Sequence, residues 1–221
     1  ERDALTTHHR ATPDLVVLPT STDQVASVVR LCATAGVTIV PRGAGTGLSG
    51  GAIATAGGVL IVLTRMNRIL DIDLPNRTAT VEAGCVNLAI SRAVTPRGFF
   101  FAPDPASQQA STIGGNVAEN AGGPHCLKYG VTTNHVVALE VLLPNAELAR
   151  LGSRSGESWG PDLVGLFVGS EGMFGVATAI TVKLEPIPAE VRTILAAFGS
   201  VRAASSYITL SAASGLDASL P

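Results

Sequence analysis

The stretch Pro41-Arg-Gly-Ala-Gly-Thr-Gly-Leu-Ser-Gly-Gly51 decides the fold, and it directly follows residues 37–40, a short apolar run that is typical of a strand. Closely spaced glycines let the backbone turn tightly and point successive N–H groups into one concavity that can bind phosphate oxygens. We expect Gly45 and Gly47 to need positive φ angles for this purpose. A flexible linker would need neither the Pro-Arg start nor the preceding strand. The stretch therefore predicts a phosphate-binding loop for a dinucleotide.

The glycine spacing alone leaves the kind of dinucleotide fold open. Residues 45–50 match the Gly-x-Gly-x-x-Gly pattern of the Rossmann fingerprint, which is a weak signal by itself. That motif must open a helix, but four glycines at positions 50, 51, 57 and 58 lie where the helix would run, and each costs about 1 kcal/mol inside a helix. A P-loop is excluded because no Gly-Lys-Ser or Gly-Lys-Thr follows. The pattern therefore favours another nucleotide-binding fold.

The residues on either side of the loop read as a parallel α/β lobe over about residues 12–67. Residues 15–18 are an apolar run, Thr22 offers an N-cap, and Gly36 ends the helix that follows. Residues 58–63 read as the next strand. The helix places its apolar side chains on one face, which consists of Val25, Val28, Val29 and Cys32.

Residues 68–187 read as a larger, mixed antiparallel α+β lobe. Candidate strands are residues 69–73, 78–83, 136–143, 148–151 and 177–184, with turns at Leu74-Pro-Asn and Pro144-Asn145. A helix is expected over residues 88–94, with Asn87 as its cap. Beyond Pro186 and Pro188, a strand over residues 191–198 and an Ala/Ser-rich helix predict that residues 188–221 begin a further, substrate-binding domain. The fold class is therefore α+β, with two lobes.

Two further glycine-rich clusters identify the ligand. One runs Pro103-Asp-Pro-Ala-Ser-Gln-Gln-Ala-Ser-Thr-Ile-Gly-Gly-Asn-Val-Ala-Glu-Asn-Ala-Gly-Gly123 and is followed by Lys128-Tyr-Gly130, and the other runs Gly169-Ser-Glu-Gly-Met-Phe-Gly-Val176. One loop can hold a pyrophosphate, but three separated loops imply a long ligand contacted by backbone along its length. FAD is such a ligand.

Together these stretches resemble the FAD domain of vanillyl-alcohol oxidase-type (PCMH-type) flavoproteins, and most closely glycolate oxidase flavoprotein subunits and their D-lactate dehydrogenase relatives. The resemblance covers about residues 15–201. It implies two lobes that hold FAD between them, dehydrogenation of a small 2-hydroxy acid such as glycolate or D-lactate, and transfer of the electrons to another carrier. It also implies partner subunits, namely an iron–sulfur subunit and a second flavoprotein subunit.

The resemblance also implies which residues hold FAD. Residues 42–48 would hold the pyrophosphate, residues 106–112 and 119–122 would line the flavin and its ribityl chain, and residues 171–177 would meet the nucleotide end. The residues expected to bind FAD are Pro41, Arg42, Gly43, Ala44, Gly45, Thr46, Gly47, Leu48, Pro103, Ala106, Ser111, Thr112, Gly114, Gly115, Asn116, Glu119, Asn120, Gly122, Gly130, Glu171, Gly172, Gly175, Val176 and Ile180.

The first loop carries no histidine, which some members of this superfamily use to attach FAD covalently, so we expect non-covalent FAD. Oxidation of a 2-hydroxy acid needs a cation for the carboxylate and a base for the hydroxyl proton. The family places its substrate-binding and metal-binding histidines in a later His-rich motif that this sequence lacks, so no catalytic base and no metal is assigned. His125, Lys128 and Arg154 are the nearby substitutes. His125 reads more readily as a loop histidine without a catalytic role.

Composition limits the other possibilities. The chain has 221 residues, 46% of them hydrophobic and 14% charged, and a mean hydropathy of +0.38, which indicates a folded protein. A net charge of −2 without a basic stripe argues against nucleic acid, and no apolar run is long enough to span a membrane. Cys32, Cys85 and Cys126 are widely spaced and favour buried thiols in a reducing cytosol over a metal site. The start, Glu1-Arg-Asp, leads us to expect a sequence taken from inside a longer protein.

Two alternatives to the enzyme remain open. The chain could be a FAD-binding or electron-transfer module that never meets a substrate. It could also belong to a different flavoenzyme on the same fold, such as an ether-lipid synthase or an aromatic alcohol oxidase. We expect a cytoplasmic location, at the inner membrane where partner subunits bring it there.

Overall fold

The computed structural model describes residues 10–153, 160–191 and 194–213. Two lobes follow one another along the chain, each built on its own sheet. The strands and helices, in chain order, are β1 (Leu15–Val17), α1 (Thr22–Ala35), β2 (Ile39–Arg42), β3 (Val59–Val62), β4 (Ile69–Asp73), β5 (Thr78–Glu82), α2 (Asn87–Val94), β6 (Phe99–Phe100), α3 (Ile113–Glu119), α4 (Cys126–Tyr129), β7 (Val136–Leu142), β8 (Leu148–Gly152), α5 (Leu163–Phe167), β9 (Val176–Lys183), β10 (Glu185–Pro186) and α6 (Val201–Ala213).

The small lobe is a parallel three-stranded sheet in the order β1-β3-β2, covered on one face by α1. The apolar face of α1 buries Val25, Val29 and Cys32 in the hydrophobic core. Ser21, one residue before the predicted Thr22, caps the helix by accepting a hydrogen bond from the N–H of Gln24. The strand–helix–strand order predicted for this lobe is confirmed. The first glycine-rich loop thus leaves the carboxyl end of β2, where ligands of parallel sheets bind.

The larger lobe is an antiparallel five-stranded sheet in the order β4-β5-β9-β7-β8. Strand β9 lies at the centre, and every one of its residues except Lys183 is buried. The turns predicted at residues 74–76 and 144–145 lie in the connections 74–77 and 143–147, which join β4 to β5 and β7 to β8. A separate two-stranded ribbon pairs β6 with β10. The predicted α+β class with two lobes is confirmed.

The short helix α3 was not expected from the sequence. Its first turn contains two glycines, which normally disfavour a helix. The helix forms because it packs so closely on the end of β5 that a Cβ at Gly114 would lie 2.9 Å from both the Cβ and the carbonyl oxygen of Ala83. The N–H of Gly114 donates to that same carbonyl at 2.7 Å. Thr112 caps the helix through its hydroxyl.

Two expectations about local structure were wrong. Asn87 is the first residue of α2 rather than its cap, and its side chain turns inward to a buried hydrogen-bond network. The predicted strand at 191–198 is not formed by residues 194–198, because no neighbouring strand pairs with them and Ile194 and Leu195 are 74% and 99% exposed. Residues 192–193 of that prediction lie outside the described residues. The Ala/Ser-rich helix is confirmed as α6.

Candidate cofactor-binding site

A cavity of about 310 Å³ opens between the two lobes and gathers all three glycine-rich clusters. The end of β2 and its loop form one wall, α3 forms the second, and the start of β9 forms the third. Pockets of this size commonly hold small molecules. The predicted residues that line this cavity are Pro41, Arg42, Gly43, Ala44, Gly45, Thr46, Gly47, Leu48, Thr112, Gly114, Gly115, Asn116, Glu119, Gly122, Glu171, Gly172, Gly175 and Val176.

Six of the predicted residues lie outside the lining of this cavity. Ala106 is exposed, and Ile180 is fully buried in the core of the five-stranded sheet. Asn120 ends α3 with a left-handed backbone, and its side-chain oxygen accepts a hydrogen bond from the N–H of Thr133. The other three also occupy supporting positions behind the wall, and they are Pro103, Ser111 and Gly130.

The first loop presents its backbone to the cavity. Within the described residues, the N–H groups of residues 44–49 donate to no acceptor in the chain. Gly45 has the predicted positive φ of 73°, and a Cβ there would lie 1.9 Å from Nη2 of Arg42. Gly47 does not have a positive φ, so that part of the prediction was wrong. Arg42 folds under the loop and donates from Nη1 to the carbonyl of Ala52 at 3.2 Å. The loop therefore offers free donors and one guanidinium to an anion.

Helix α3 connects the three clusters. Gly43 lies against its cap, because a Cβ at Gly43 would be 2.1 Å from Oγ1 of Thr112. At its other end, the carbonyl oxygen of Ala118 accepts a hydrogen bond of 2.9 Å from the N–H of Glu171. Gly172 then packs against the ring of Pro41, at the base of the first loop. Segments more than a hundred residues apart in sequence thus meet around one short helix.

The charged side chains that line the cavity are Arg42, Glu119 and Glu171. Carboxylates repel phosphate but accept hydrogen bonds from hydroxyl groups. The free N–H groups and Arg42 therefore suit a pyrophosphate, while the two glutamates suit the hydroxyls of a sugar or ribityl chain. A ligand that carries both kinds of group matches this distribution.

The sequence analysis missed the apolar part of the lining. Leu63, Ala83 and Phe167 border the cavity, and they come from a turn after β3, the end of β5 and the end of α5. None lies in a glycine-rich motif, so no local signal marked them. Their small or apolar side chains give a flat ring a surface on which to pack.

Buried polar groups behind the cavity support the wall. The side chain of Asn87 donates to the carbonyl of Pro103 at 2.9 Å and accepts from Nδ2 of Asn116 at 2.8 Å. The hydroxyls of Ser111 and Ser170 are buried and have no hydrogen-bond partner among the described residues. Each lies one residue from a cavity-lining position. Because neither serine lines the cavity, these hydroxyls belong to the supporting layer behind the wall.

His125 has a partner that the sequence did not reveal. Its ring nitrogen Nδ1 pairs with a carboxylate oxygen of Asp104, and the other oxygen of that carboxylate lies 3.4 Å from the N–H of His125. Lys128 lies 5.1 Å from the centre of the Tyr129 ring. The third candidate, Arg154, lies outside the described residues. Neither His125 nor Lys128 lines the cavity.

His135 and Cys85 are buried behind the site. Nε2 of His135 donates to the carbonyl of Tyr129 at 2.8 Å, and burial lowers the pKa of His135 so that the ring stays neutral. Burial, assisted by the negative charge of Glu82, raises the pKa of Cys85 to about 11. Both groups therefore have structural roles. Within the ranges that the structure describes, no group of three or more metal-ligating side chains occurs.

A family model described as "FAD binding domain" matches residues 13–152, which include the first loop, α3 and the strands between them. The chain belongs to this family. Its cofactor is FAD, and the cavity fits that group on three counts: the free N–H donors of the first loop, the carboxylate of Glu171, and the apolar wall that includes Leu63 and Phe167. Binding of FAD in this cavity thus explains why all three glycine-rich clusters converge there.

Curated relatives extend the similarity over most of the chain. The glycolate oxidase subunit GlcD of Escherichia coli K12 is 52% identical over 196 residues, which are 89% of this chain and 39% of the relative. GlcD of Bacillus subtilis is 44% identical and covers 92% of this chain and 44% of its own. A D-lactate dehydrogenase of Anaerostipes hadrus is 40% identical over 87% of this chain and 41% of its own length. The chain thus spans about two fifths of these relatives.

Solved structures agree on the fold. Two crystal forms of alkyldihydroxyacetonephosphate synthase superpose with TM-scores of 0.71 and 0.75, at 30% and 27% sequence identity. They cover 82% and 90% of this chain, and this chain covers 33% and 40% of theirs. Both structures therefore share the fold described above.

Proposed function

We propose that the chain is the FAD-binding part of a flavin-dependent dehydrogenase that oxidises a small 2-hydroxy acid, glycolate or D-lactate, and passes the electrons to another carrier. The observation that carries this proposal is the 52% identity to a glycolate oxidase subunit over 89% of this chain, together with the 40% identity to a D-lactate dehydrogenase. Because one relative is named for glycolate and the other for D-lactate, the two together support small 2-hydroxy acids as the substrate class without selecting one acid.

The residues of this chain bind and orient the cofactor in the proposed reaction. The N–H groups of residues 44–49 and the guanidinium of Arg42 hold the pyrophosphate, and Glu171 accepts hydrogen bonds from sugar and ribityl hydroxyls. Leu63, Ala83 and Phe167 exclude water from the inner wall. When bound, FAD supplies the hydride acceptor for the carbon that bears the substrate hydroxyl.

Residues 188–221 begin a substrate-binding domain in this proposal. Support comes from their large apolar side chains, since Ile194, Leu195, Val201 and Leu210 are between 69% and 99% exposed. Apolar surface of this extent is expected to be covered by other protein. The catalytic base and the carboxylate clamp belong to that domain, because neither His125 nor Lys128 lines the cavity.

The absorption spectrum and a dye-reduction assay test the proposal. Purified residues 1–221 are expected to carry oxidised flavin, seen in the visible spectrum, but to reduce an artificial dye with neither acid. The whole protein is expected to reduce the dye with glycolate or D-lactate. Substantial turnover by residues 1–221 would place the active site within them, and a whole protein inactive with both acids would reject the substrate class.

A FAD-binding electron-transfer module is the alternative function. It predicts flavin in the spectrum and no dye reduction by the whole protein with either acid.

We further propose that the whole protein assembles with partner subunits, one with an iron–sulfur cluster and one a second flavoprotein, because its relatives are named as subunits of glycolate oxidase. In the described residues, no helix is long and apolar enough to cross a membrane. A cytoplasmic location, with contact to the inner membrane through such partners, is part of this proposal.

A further inference from the structure

One hydrogen bond links the two lobes across the mouth of the FAD cavity. Oγ of Ser49, near the end of the first loop, donates to Oε2 of Glu119 at 2.6 Å. Both residues line the cavity, and 70 positions separate them in sequence. A distance of 2.6 Å is that of a charge-assisted O–H···O⁻ bond, which is stronger than a neutral one.

This bond is the main polar restraint on the first loop. Within the described residues, residues 44–49 make no other hydrogen bond with the chain. The second carboxylate oxygen of Glu119 also faces the loop, since a Cβ at Gly47 would lie 3.3 Å from Oε1. A glycine-rich loop without restraints samples many conformations, and ordering it on binding lowers affinity.

We propose that Glu119 is a positioning residue that holds the first loop through Ser49, so that the free N–H groups of the loop already face the cavity before FAD arrives. Glu119 then contributes to FAD affinity mainly through Ser49 and not through contact with the cofactor. The proposal rests on FAD binding and is independent of the substrate proposed above.

A double-mutant cycle on FAD affinity tests the proposal. Ser49→Ala and Glu119→Ala are each expected to raise the dissociation constant for FAD by about five- to tenfold, the effect of one hydrogen bond to a charged group. The double variant is expected to be no weaker than either single variant, because both changes remove the same bond. The full chain is stripped of flavin and titrated with FAD, with quenching of flavin fluorescence as the signal.

Two controls separate positioning from a general loss of fold. Glu119→Gln keeps an oxygen that accepts from Ser49, so it is expected to bind FAD more tightly than Glu119→Ala. Ser27→Ala removes a serine hydroxyl that bonds only to the Asp23 carbonyl on the exposed side of α1, and it is expected to leave FAD affinity unchanged. Backbone NMR order parameters of the FAD-free protein are expected to be lower in residues 44–49 of both alanine variants.

Several results would overturn the proposal. Losses that multiply in the double variant would show that Glu119 contacts FAD independently of Ser49. A Glu119→Gln variant as weak as Glu119→Ala would show that the charge acts directly. Unchanged order parameters of residues 44–49 in the FAD-free alanine variants would show that the bond does not order the loop.

Discussion

The first loop and the segment that carries α3 both contain clustered glycines, yet glycine serves a different purpose in each. In the first loop, residues 44–49 leave their N–H groups unbonded to the described chain and facing the cavity. In the second segment, Gly114 donates its N–H to the carbonyl of Ala83 and packs against it at close range. Glycine thus provides ligand access in one region and allows close packing in the other. Substitutions should therefore affect FAD binding in the first region and stability in the second.

The largest expected effect is the complete release of FAD when the protein is denatured, because the first loop holds the cofactor without a covalent bond. If this region contributes only backbone donors and a guanidinium, denaturation by acid or heat is expected to release all of the FAD into the supernatant. The first loop carries no histidine that could bond to the flavin ring. The measurement is the flavin absorbance of the supernatant after precipitation. Flavin that stays with the washed polypeptide would contradict a purely non-covalent site.

Gly114→Val is expected to have the largest effect on stability. A Cβ there would lie 2.9 Å from two atoms of Ala83, and overpacking of this kind costs about 3 kcal/mol. Gly115→Ala is the matched control, because the nearest atom would be Oγ1 of Thr112 at an ordinary 3.4 Å. The control is expected to change the free energy of unfolding by less than about 1 kcal/mol. Urea unfolding without FAD measures both, and equal losses would remove the contrast between the two glycines.

Gly45→Val is expected to affect FAD affinity instead. The left-handed backbone at Gly45 and the proximity of Arg42 make a β-branched residue there strained, so affinity is expected to fall by about ten- to a hundredfold. Gly47→Val carries no positive-φ strain, and its Cβ would lie 3.3 Å from Oε1 of Glu119, so it tests crowding at the cavity wall without backbone strain. Flavin titration and urea unfolding are measured on both variants. A Gly45→Val variant that loses stability but keeps its FAD affinity would show that the first loop is not the phosphate site.

The sequence predicted the first loop well because its signals are local. A strand, a Pro-Arg start and clustered glycines lie within one short stretch, and the strand–helix–strand order around them follows from apolar periodicity. The argument that glycines prevent a helix was right here, since no helix follows the loop before Val59. Local propensity determines structure where few tertiary contacts compete with it.

The same argument failed at α3. Gly114 and Gly115 predict a loop, but packing on Ala83 outweighs the cost of glycine in a helix. Asn87 was predicted to be a helix cap from its local propensity alone. Its side chain instead forms hydrogen bonds with Pro103 and Asn116, which are distant in sequence. The apolar wall of the cavity and the pairing of His125 with Asp104 depend on such distant contacts too. Each of these features depends on tertiary contacts between residues that are distant in the chain, and local sequence patterns do not predict such contacts.

The smallest expected effect is a pH-dependent change in the free energy of unfolding, contributed by Glu82 at the end of β5 beneath α3. Glu82 ends β5, immediately before the Ala83 to which α3 is bonded, and its buried carboxylate accepts hydrogen bonds from the backbone and guanidinium of Arg68. Burial alone would raise the pKa of Glu82, but the hydrogen bonds and charge of Arg68 outweigh burial and lower it below 4.5. A lowered pKa means that the carboxylate stabilises the folded state fully above the pKa of the unfolded chain, and that this contribution is lost as the pH falls through the folded value.

Glu82→Gln is therefore expected to lower the free energy of unfolding by about 1 kcal/mol at pH 7, a modest value because the Arg68 side chain is largely exposed. The difference from the unsubstituted protein should shrink as the pH falls below 4.5 and the carboxylate takes up a proton. Glu140→Gln is the control, since Glu140 pairs with Arg150 at 3.0 Å on the more exposed β7–β8 edge and should change stability by less than about 0.5 kcal/mol. Urea unfolding from pH 3 to pH 7 measures both variants. If the loss at Glu82 is independent of pH, the carboxylate charge does not support the end of β5, and the close packing of Gly114 on Ala83 must hold α3 by itself.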